Sequence, residues 1–191
     1  MSKQYFGTDG IRGTVGRDPM TADFAIRLAC AVAQVLVPDG GKVLIGKDTR
    51  LSGYMFESAL EAGFTAAGAD VLLLGPLPTP GIATLTQQYG ADLGVVISAS
   101  HYHYLDNVIK FFHGNGSKLT EEIDLEIEKL LAQPAITLES RQLGKAKRIY
   151  EARVRFQEYC AGTLPIGMSL EGLTVVFDGA NGAGYKVGPR T

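Results

Sequence analysis

Apolar residues are arranged in two patterns along this chain, one typical of helices and one typical of buried strands. From Thr21 to Val37 apolar residues recur three and four positions apart, which predicts an amphipathic helix with Thr21 as its N-cap. Short apolar runs predict buried strands at 42–46, 71–74 and 93–97, and helical patterns lie between them at 52–67 and 79–89. Strands that alternate with helices predict an α/β fold, a mostly parallel mixed sheet covered by helices.

Two further segments extend this first unit. The apolar run 109–112 predicts another strand, antiparallel and at the sheet edge. A helix should begin at Thr120 and end near Pro134, because the residue before a proline is pushed out of helical geometry. The segment before Thr21 is rich in glycine, and we expect a loop there.

The last forty residues have the pattern of a new α/β unit. A helix at 149–161 is followed by an apolar run at 173–177 and by a glycine-rich turn. One strand and one helix cannot bury a core of their own. We therefore predict a first domain over residues 1–150 and the incomplete start of a second domain over 151–191.

Composition excludes several classes of protein. The 18 basic residues are scattered among 20 acidic ones, which argues against a nucleic-acid-binding protein. No window approaches the roughly 18 consecutive apolar residues of a membrane-spanning helix, so we expect no membrane partner. Only two cysteines occur, Cys30 and Cys160, and we expect the reducing cytoplasm as the location.

The segment Ser98-Ala99-Ser100-His101 follows the apolar run that ends at Ile97. Parallel sheets place their ligands at the carboxyl ends of their strands. An exposed hydroxyl there can accept and return a phosphoryl group, so we expect Ser100 to be the nucleophile. The alternative is a serine that only satisfies backbone groups of its own loop.

Charged residues elsewhere in the chain suit the same chemistry. Lys110 can hold phosphoryl oxygens or act as general acid or base, and the alternative is a lysine that protects an edge strand from aggregation. Arg12, in the glycine-rich segment, can bind phosphate with its planar guanidinium. Asp48 and Arg50 follow a strand and can support the serine loop, although a plain ion pair is equally compatible with the sequence.

Four separated motifs together resemble those of the phosphohexomutase superfamily. They are Phe6-Gly7-Thr8-Asp9-Gly10-Ile11-Arg12-Gly13, Gly46-Lys47-Asp48-Thr49-Arg50, Pro78-Thr79-Pro80 and Ser98-Ala99-Ser100-His101. The resemblance implies that residues 1–150 are the first of four domains, with Ser100 as the phosphorylated serine. It also implies catalytic roles for Ser100, His101, Lys110 and Arg12, with Arg12 and Lys110 contacting the substrate and with Asp48 and Arg50 in support.

Within that superfamily the resemblance is strongest to the branch that acts on amino-sugar phosphates. It implies interconversion of glucosamine 6-phosphate and glucosamine 1-phosphate through a bisphosphorylated sugar, with Mg²⁺ as cofactor and a homodimer left open. The superfamily's Asp-Gly-Asp-Gly-Asp metal loop does not occur in this sequence. The expected metal ligand in this chain is therefore Ser100, through its phosphate.

Three residues depart from the superfamily pattern around the serine. Tyr102, His103 and Val108 stand where an asparagine, a proline and a glycine are usual. A proline fixes the backbone, and a β-branched residue fits a positive φ poorly. We therefore expect a distorted or mobile serine loop with strain at Val108.

Several alternatives stay open on the sequence. The first is a phosphomannomutase or phosphoglucomutase, because the sugar-binding loop that would decide lies in a later domain. The second is a truncated, non-catalytic relative that acts as a binding module, and the third is a simple phosphate-ester-binding domain. Since the cleft of the superfamily needs all four domains to exclude water, we expect negligible mutase activity from these 191 residues alone.

Overall fold

Seven strands form one mixed sheet in the computed structural model, which describes residues 3–191. The strands are β1 (Phe6–Gly7), β2 (Gly10–Thr14), β3 (Lys42–Lys47), β4 (Asp70–Pro76), β5 (Leu93–Ile97), β6 (Asp106–His113) and β7 (Ala146–Arg148). Five helices accompany them: α1 (Ala22–Leu36), α2 (Ser52–Ala66), α3 (Thr79–Gln88), α4 (Glu121–Leu131) and α5 (Ala152–Ala161). The predicted α/β class and mixed sheet are confirmed.

The strands lie in the order β1-β2-β6-β5-β3-β4-β7. The neighbours β5, β3, β4 and β7 are parallel, whereas β1, β2 and β6 pair antiparallel with one another and with β5. The carboxyl ends of the four parallel strands therefore meet at one edge of the sheet. Since β6 is antiparallel to β5, its first residues lie at that same edge.

Helices cover both faces of the sheet, as the alternation of strand side chains requires. Val43 and Ile45 of β3 pack in the cluster beneath α1, α2 and α4, while Leu44 between them packs in the cluster beneath α3 and α5. Helix α1 begins as predicted, with the Thr21 hydroxyl accepting a hydrogen bond of 3.4 Å from the amide of Phe24. The ring of Phe24 is fully buried, which stabilises the fold by about 1.5–3 kcal/mol.

The amino-terminal segment differs from the expectation of a loop. It forms the hairpin β1–β2, and β2 pairs with β6, so β6 lies inside the sheet and the predicted edge position is wrong. The hairpin turn needs glycine at position 10, because Gly10 has a φ of 95° and a Cβ there would collide with the backbone carbonyl of Ile109. Glycine thus marks a tight strand pairing here, which is why the composition suggested a loop.

The carboxyl-terminal part also departs from the sequence pattern. Strand β7 was not predicted, and α5 begins at Ala152 rather than at residue 149. The predicted strand at 173–177 does not form: Val175 and Val176 are exposed and no strand within residues 3–191 pairs with them, and an apolar run without a partner strand gains no ladder hydrogen bonds. Helix α5 buries Phe156 against α3. The domain boundary at residue 150 stays a prediction.

None of the helices in residues 3–191 is both long enough and apolar enough to cross a membrane.

Candidate functional site

A crevice of about 400 Å³ opens beside the carboxyl end of β5. The β1–β2 hairpin, the first half of β6 and the loop after β5 form its walls. Four predicted site residues line it together, namely Arg12, Ser100, His101 and Lys110. The topology therefore brings distant parts of the sequence to one place.

Ser100 lies exposed at the start of the loop and has a φ of 54°. Left-handed backbone is costly for a residue other than glycine, so the surrounding contacts must hold it. The amide of Ser100 donates to Ser98 Oγ at 3.1 Å, and Ser100 Oγ lies 3.2 Å from Nδ1 of His101. The backbone of Ser100 is thus held by Ser98 and its hydroxyl has an imidazole partner.

Asp48 holds Ser98 and Arg50 in place through hydrogen bonds. Its Oδ2 accepts a 2.9 Å hydrogen bond from the Ser98 hydroxyl, and its Oδ1 accepts a 3.0 Å bond from the amide of Arg50. Asp48 is buried at the turn after β3. A chain of hydrogen bonds therefore runs from Asp48 through Ser98 to the backbone of Ser100.

Arg50 anchors the loop directly. Its guanidinium donates to four backbone carbonyls, those of Ser100 (3.1 Å), Tyr102 (2.7 Å), His103 (2.7 Å) and Asp106 (3.2 Å). It also forms a 3.2 Å ion pair with Asp48. The sequence left two roles open for Asp48 and Arg50, an ion pair and support of the serine loop. The structure shows both, since Arg50 pairs with Asp48 and contacts the serine loop.

Arg12 lies on strand β2, opposite Val108 of β6, and so on a strand rather than in a loop. Its side chain is exposed to the crevice, and its guanidinium carbon lies 4.6 Å above the ring of Tyr102. The other partner of Tyr102 is His101, whose ring stacks on it at 5.5 Å. No carboxylate among residues 3–191 lies within ion-pair distance of Arg12, so its charge is available to an anion.

Lys110 projects from β6 into the crevice, and its Nζ lies 2.5 Å from Oδ2 of Asp9. Lys118 pairs with the other oxygen of Asp9 at 3.0 Å. Burial alone would raise the pKa of Asp9, but hydrogen bonds and charge from the two lysines outweigh it and lower that pKa. Because β6 is an inner strand, the edge-strand explanation of Lys110 does not hold.

Asp9 is a site residue that sequence reasoning missed. It occupies the turn between β1 and β2 in the motif Thr8-Asp9-Gly10. A charged residue in a turn is commonly only solvated, and its two lysine partners come from distant strand and loop positions. The position of Asp9 inside this motif was the signal in the sequence that could have marked it as part of the site.

The expected strain at Val108 is absent. Val108 lies buried in β6, its φ is not positive, and its carbonyl accepts a 2.9 Å hydrogen bond from the amide of Ser98. An extended strand suits a β-branched residue. The positive φ is at Ser100 instead, and the exposed rings of Tyr102 and His103 occupy the rim of the loop.

Within residues 3–191 no group of three or more histidine, cysteine, aspartate or glutamate side chains is arranged to hold a metal ion. Tight binding of a cation such as Mg²⁺ needs several oxygen ligands at once. The side chains of these residues therefore do not fit a Mg²⁺ site of their own.

Comparisons with known proteins agree with this geometry. The sequence profile of "Phosphoglucomutase/phosphomannomutase, alpha/beta/alpha domain I" matches residues 3–136. The phosphoglucosamine mutase of Marinomonas sp. (strain MWYL1) is 56% identical over 188 residues, which are 98% of this chain and 42% of the relative. That of Alcanivorax borkumensis is 57% identical over 190 residues, or 99% of this chain and 43% of the relative. The chain thus spans well under half the length of these relatives.

Solved structures show the same architecture. A proposed phosphomannomutase from Thermus thermophilus superposes with a TM-score of 0.73 at 30% identity, covering 86% of this chain and 37% of the other. A phosphoglucomutase/phosphomannomutase family protein from Burkholderia thailandensis superposes with a TM-score of 0.69 at 23% identity, covering 83% and 35%, which supports the fold alone. The similarity to these proteins suggests that a metal ion is used, but it does not identify the ion. The chain belongs to the phosphoglucomutase/phosphomannomutase family, of which it carries the α/β/α domain I.

Proposed function

We propose that this chain is the phosphoryl-carrying part of a phosphoglucosamine mutase, with Ser100 as the carrier. The observation that supports it best is the crevice in which the Ser100 hydroxyl, Arg12 and Lys110 meet. Two cations beside one exposed hydroxyl suit a group that carries about two negative charges at neutral pH. The relatives named phosphoglucosamine mutase, at 56% and 57% identity, favour glucosamine phosphates as the substrate class.

The proposed half-reaction begins with a bisphosphorylated glucosamine in the crevice. Ser100 Oγ attacks one phosphorus atom, the Oγ–P bond forms, and the bond between phosphorus and the sugar oxygen breaks. The hydroxyl proton passes to His101, whose Nδ1 is 3.2 Å away. Lys110 donates a proton to the departing sugar oxygen, and Arg12 binds the phosphoryl oxygens with its planar guanidinium. The reverse steps return that phosphate from Ser100 to the free hydroxyl of a glucosamine monophosphate bound in the opposite orientation, which regenerates the bisphosphate and the Ser100 hydroxyl.

Asp48 and Arg50 are positioning residues in this proposal. Neither is among the residues that line the crevice, and both hold the loop that presents Ser100. Preorganisation of this kind is useful because a misplaced nucleophile loses much of its rate.

The remaining expectations belong to the same proposal. Mg²⁺ is the proposed ion, and a phosphate on Ser100 is the ligand that we propose for it in residues 3–191. The cytoplasm is the proposed location, and Cys30 and Cys160 are free thiols, as a reducing compartment favours. A homodimer stays a prediction that sedimentation velocity of the purified chain would test.

A second candidate function is binding without isomerisation, by a phosphate-ester-binding domain. Asp9 already neutralises Lys110, and the ring of Tyr102 lies under Arg12. These two contacts favour a crevice that holds a phosphate ester without transferring its phosphate. A phosphomannomutase or phosphoglucomutase is the other alternative, and the Thermus structure is a proposed phosphomannomutase.

Labelled transfer distinguishes phosphoryl transfer from binding alone. The purified chain is incubated with ³²P-labelled glucosamine 1,6-bisphosphate, with and without Mg²⁺, and the label is located by peptide mapping. The proposal predicts slow label on Ser100, far below the turnover expected of a four-domain enzyme, and none in Ser100→Ala. Binding of the bisphosphate with no label would establish the binding module instead, and label on another residue would refute the role of Ser100.

A further inference from the structure

Two further crevices lie next to each other at the same edge of the sheet, beyond the carboxyl ends of β4 and β7. The first has a volume of about 250 Å³, and its polar lining consists of Arg148, Arg153, Lys186 and the rings of Tyr54, Tyr150 and Tyr185. The second, of about 360 Å³, shares Arg153, Tyr185 and Lys186 with the first and adds Arg190. Neither has a lining residue in common with the Ser100 crevice.

The charge of this double crevice is entirely positive. No acidic residue lines either part. Within the part of the chain that the structure describes, Arg153, Lys186 and Arg190 have no carboxylate within 4.0 Å. Like charges held close together repel one another, and a bound anion would relieve that repulsion.

Two residues that line the first crevice, Arg148 and Tyr54, contact a buried ion group with the same imbalance. Glu57 is buried and accepts from two cations, Lys47 at 2.6 Å and Arg148 at 3.3 Å. One carboxylate cannot neutralise both, so this buried group carries an excess positive charge. The Nζ of Lys47 also lies 3.6 Å from the ring centre of Tyr54, and its side chain is only 1% exposed, which fixes the charge in place.

The segment around Lys186 and Val187 forms the outer wall of the double crevice, and hydrogen bonds and packing hold it to the rest of the fold. Val187 is buried in the cluster beneath α3 and α5, and its carbonyl accepts a 3.2 Å hydrogen bond from Gln157 of α5. Thr49 donates a hydrogen bond to the carbonyl of Asn181. Lys186 therefore belongs to an anchored segment. The ring of Tyr150 is 82% exposed and offers a flat apolar surface at the rim.

We propose that this double crevice binds an anion with two linked phosphate groups, that is, a diphosphate. Cations line both parts, so a ligand with one charged group would leave part of the repulsion in place. Arginine binds phosphate oxygens through two parallel hydrogen bonds, and the lining offers three such side chains. The carboxyl edge of a parallel sheet is also where α/β proteins place their ligands. This site is independent of Ser100 chemistry.

Calorimetric titration of the 191-residue chain with inorganic pyrophosphate tests the proposal. The test variant is Arg153→Gln with Lys186→Gln, which changes two exposed side chains. The matched control is Arg155→Gln, because Arg155 lies on the same helix but packs over Tyr89, outside both crevices. A second control, Arg12→Gln, removes a cation from the Ser100 crevice. Amide chemical shifts of Gly75 and Tyr150 in the unmodified chain give an independent readout.

We expect saturable binding of pyrophosphate at this site, separate from any binding in the Ser100 crevice, and at least about tenfold weaker in the double variant, since each lost charged hydrogen bond accounts for about tenfold or more. Arg155→Gln should bind as the unmodified chain does, Arg12→Gln should weaken only binding in the Ser100 crevice, and the Gly75 and Tyr150 amides should shift. Absence of saturation would overturn the proposal. So would equal weakening by Arg155→Gln, or loss of binding in Arg12→Gln, which would place the anion in the Ser100 crevice.

Discussion

Arg50 donates a 3.1 Å hydrogen bond from Nη2 to the carbonyl oxygen of Ser100. The same guanidinium reaches three more carbonyls of that loop. A single side chain from the end of β3 thereby determines the path of the loop that carries the proposed nucleophile. This contact explains how an exposed loop keeps Ser100 in an uncommon backbone conformation.

Replacing Arg50 by glutamine should cost about 2–4 kcal/mol of unfolding free energy. The substitution removes four charge-assisted bonds of about 1.5–3 kcal/mol each, but three of the carbonyls are exposed, so water recovers most of that. Urea denaturation at pH 7 measures the loss. Arg17→Gln is the control, because Arg17 is exposed and its side chain makes no hydrogen bond or ion pair among residues 3–191. Equal effects of the two substitutions would contradict the anchoring role of Arg50.

Ser100→Gly should be more stable than Ser100→Ala by about 1 kcal/mol. Both lose the hydroxyl, but only glycine accepts a φ of 54° without strain.

Val108→Gly should lower the unfolding free energy by about 1–3 kcal/mol, because Val108 is buried in extended backbone. Thermal and urea denaturation of the three variants measure this order. A stabilised Val108→Gly would restore the expectation of strain at that residue.

Glu128 links the stability of the fold to pH. Its carboxylate accepts from the amides of Gln4, Tyr5 and Phe6 at 2.7, 2.7 and 2.8 Å. Burial alone would raise the pKa of Glu128, but these amides and the charge of Lys3 outweigh it, and the pKa lies below its usual range. A depressed folded-state pKa gives stability that is present above the unfolded-state pKa and is lost as pH falls through the folded value.

Glu128→Gln should therefore lower the unfolding free energy by about 1–2 kcal/mol at pH 7. The difference from the unmodified chain should shrink below about pH 4, where the unfolded carboxyl becomes protonated. Urea denaturation at pH 7, 5 and 3.5 measures it. The exposed Glu126 of the same helix provides the control substitution Glu126→Gln. A difference that stays constant over this pH range would show that charge on Glu128 is not involved.

Asp9→Asn should raise the affinity of the Ser100 crevice for inorganic phosphate about two- to fivefold. The substitution removes a half-exposed negative charge beside Lys110, and exposed ion pairs are worth about 0.2–1 kcal/mol. Asp39→Asn makes the same change of charge at an exposed position outside the crevice and should leave the affinity unchanged. Titration followed by ³¹P NMR measures both. An unchanged or weaker affinity in Asp9→Asn would mean that Asp9 does not compete with phosphate for Lys110.

The position of Ser100 could be predicted from the sequence because an apolar run that ends in small polar residues marks the carboxyl end of a buried strand. The bonds of Arg50 could not, since four of its acceptors are backbone carbonyls whose positions depend on the loop path. Asp9 was missed because its partners, Lys110 and Lys118, come from distant parts of the chain.

The errors in the fold have physical reasons as well. The hairpin β1–β2 is short and contains glycine, so its strands carry little apolar periodicity, and its place in the sheet comes from backbone pairing with β6. The run 173–177 has strong strand propensity but no partner strand among the described residues. Propensity alone does not form a strand, because pairing supplies most of its stability.

The central claim is that Ser100 both accepts and returns a phosphoryl group, and ³¹P NMR tests it most directly. The chain is first exposed to glucosamine 1,6-bisphosphate, freed of small molecules, and then mixed with glucosamine 6-phosphate. Because these 191 residues are expected to turn over negligibly, we predict a phosphoserine signal that grows slowly in a single turnover and is missing in Ser100→Ala, and its slow decay as a bisphosphate signal grows after the second addition. A signal that never forms, or that persists unchanged when glucosamine 6-phosphate is added, would contradict the account.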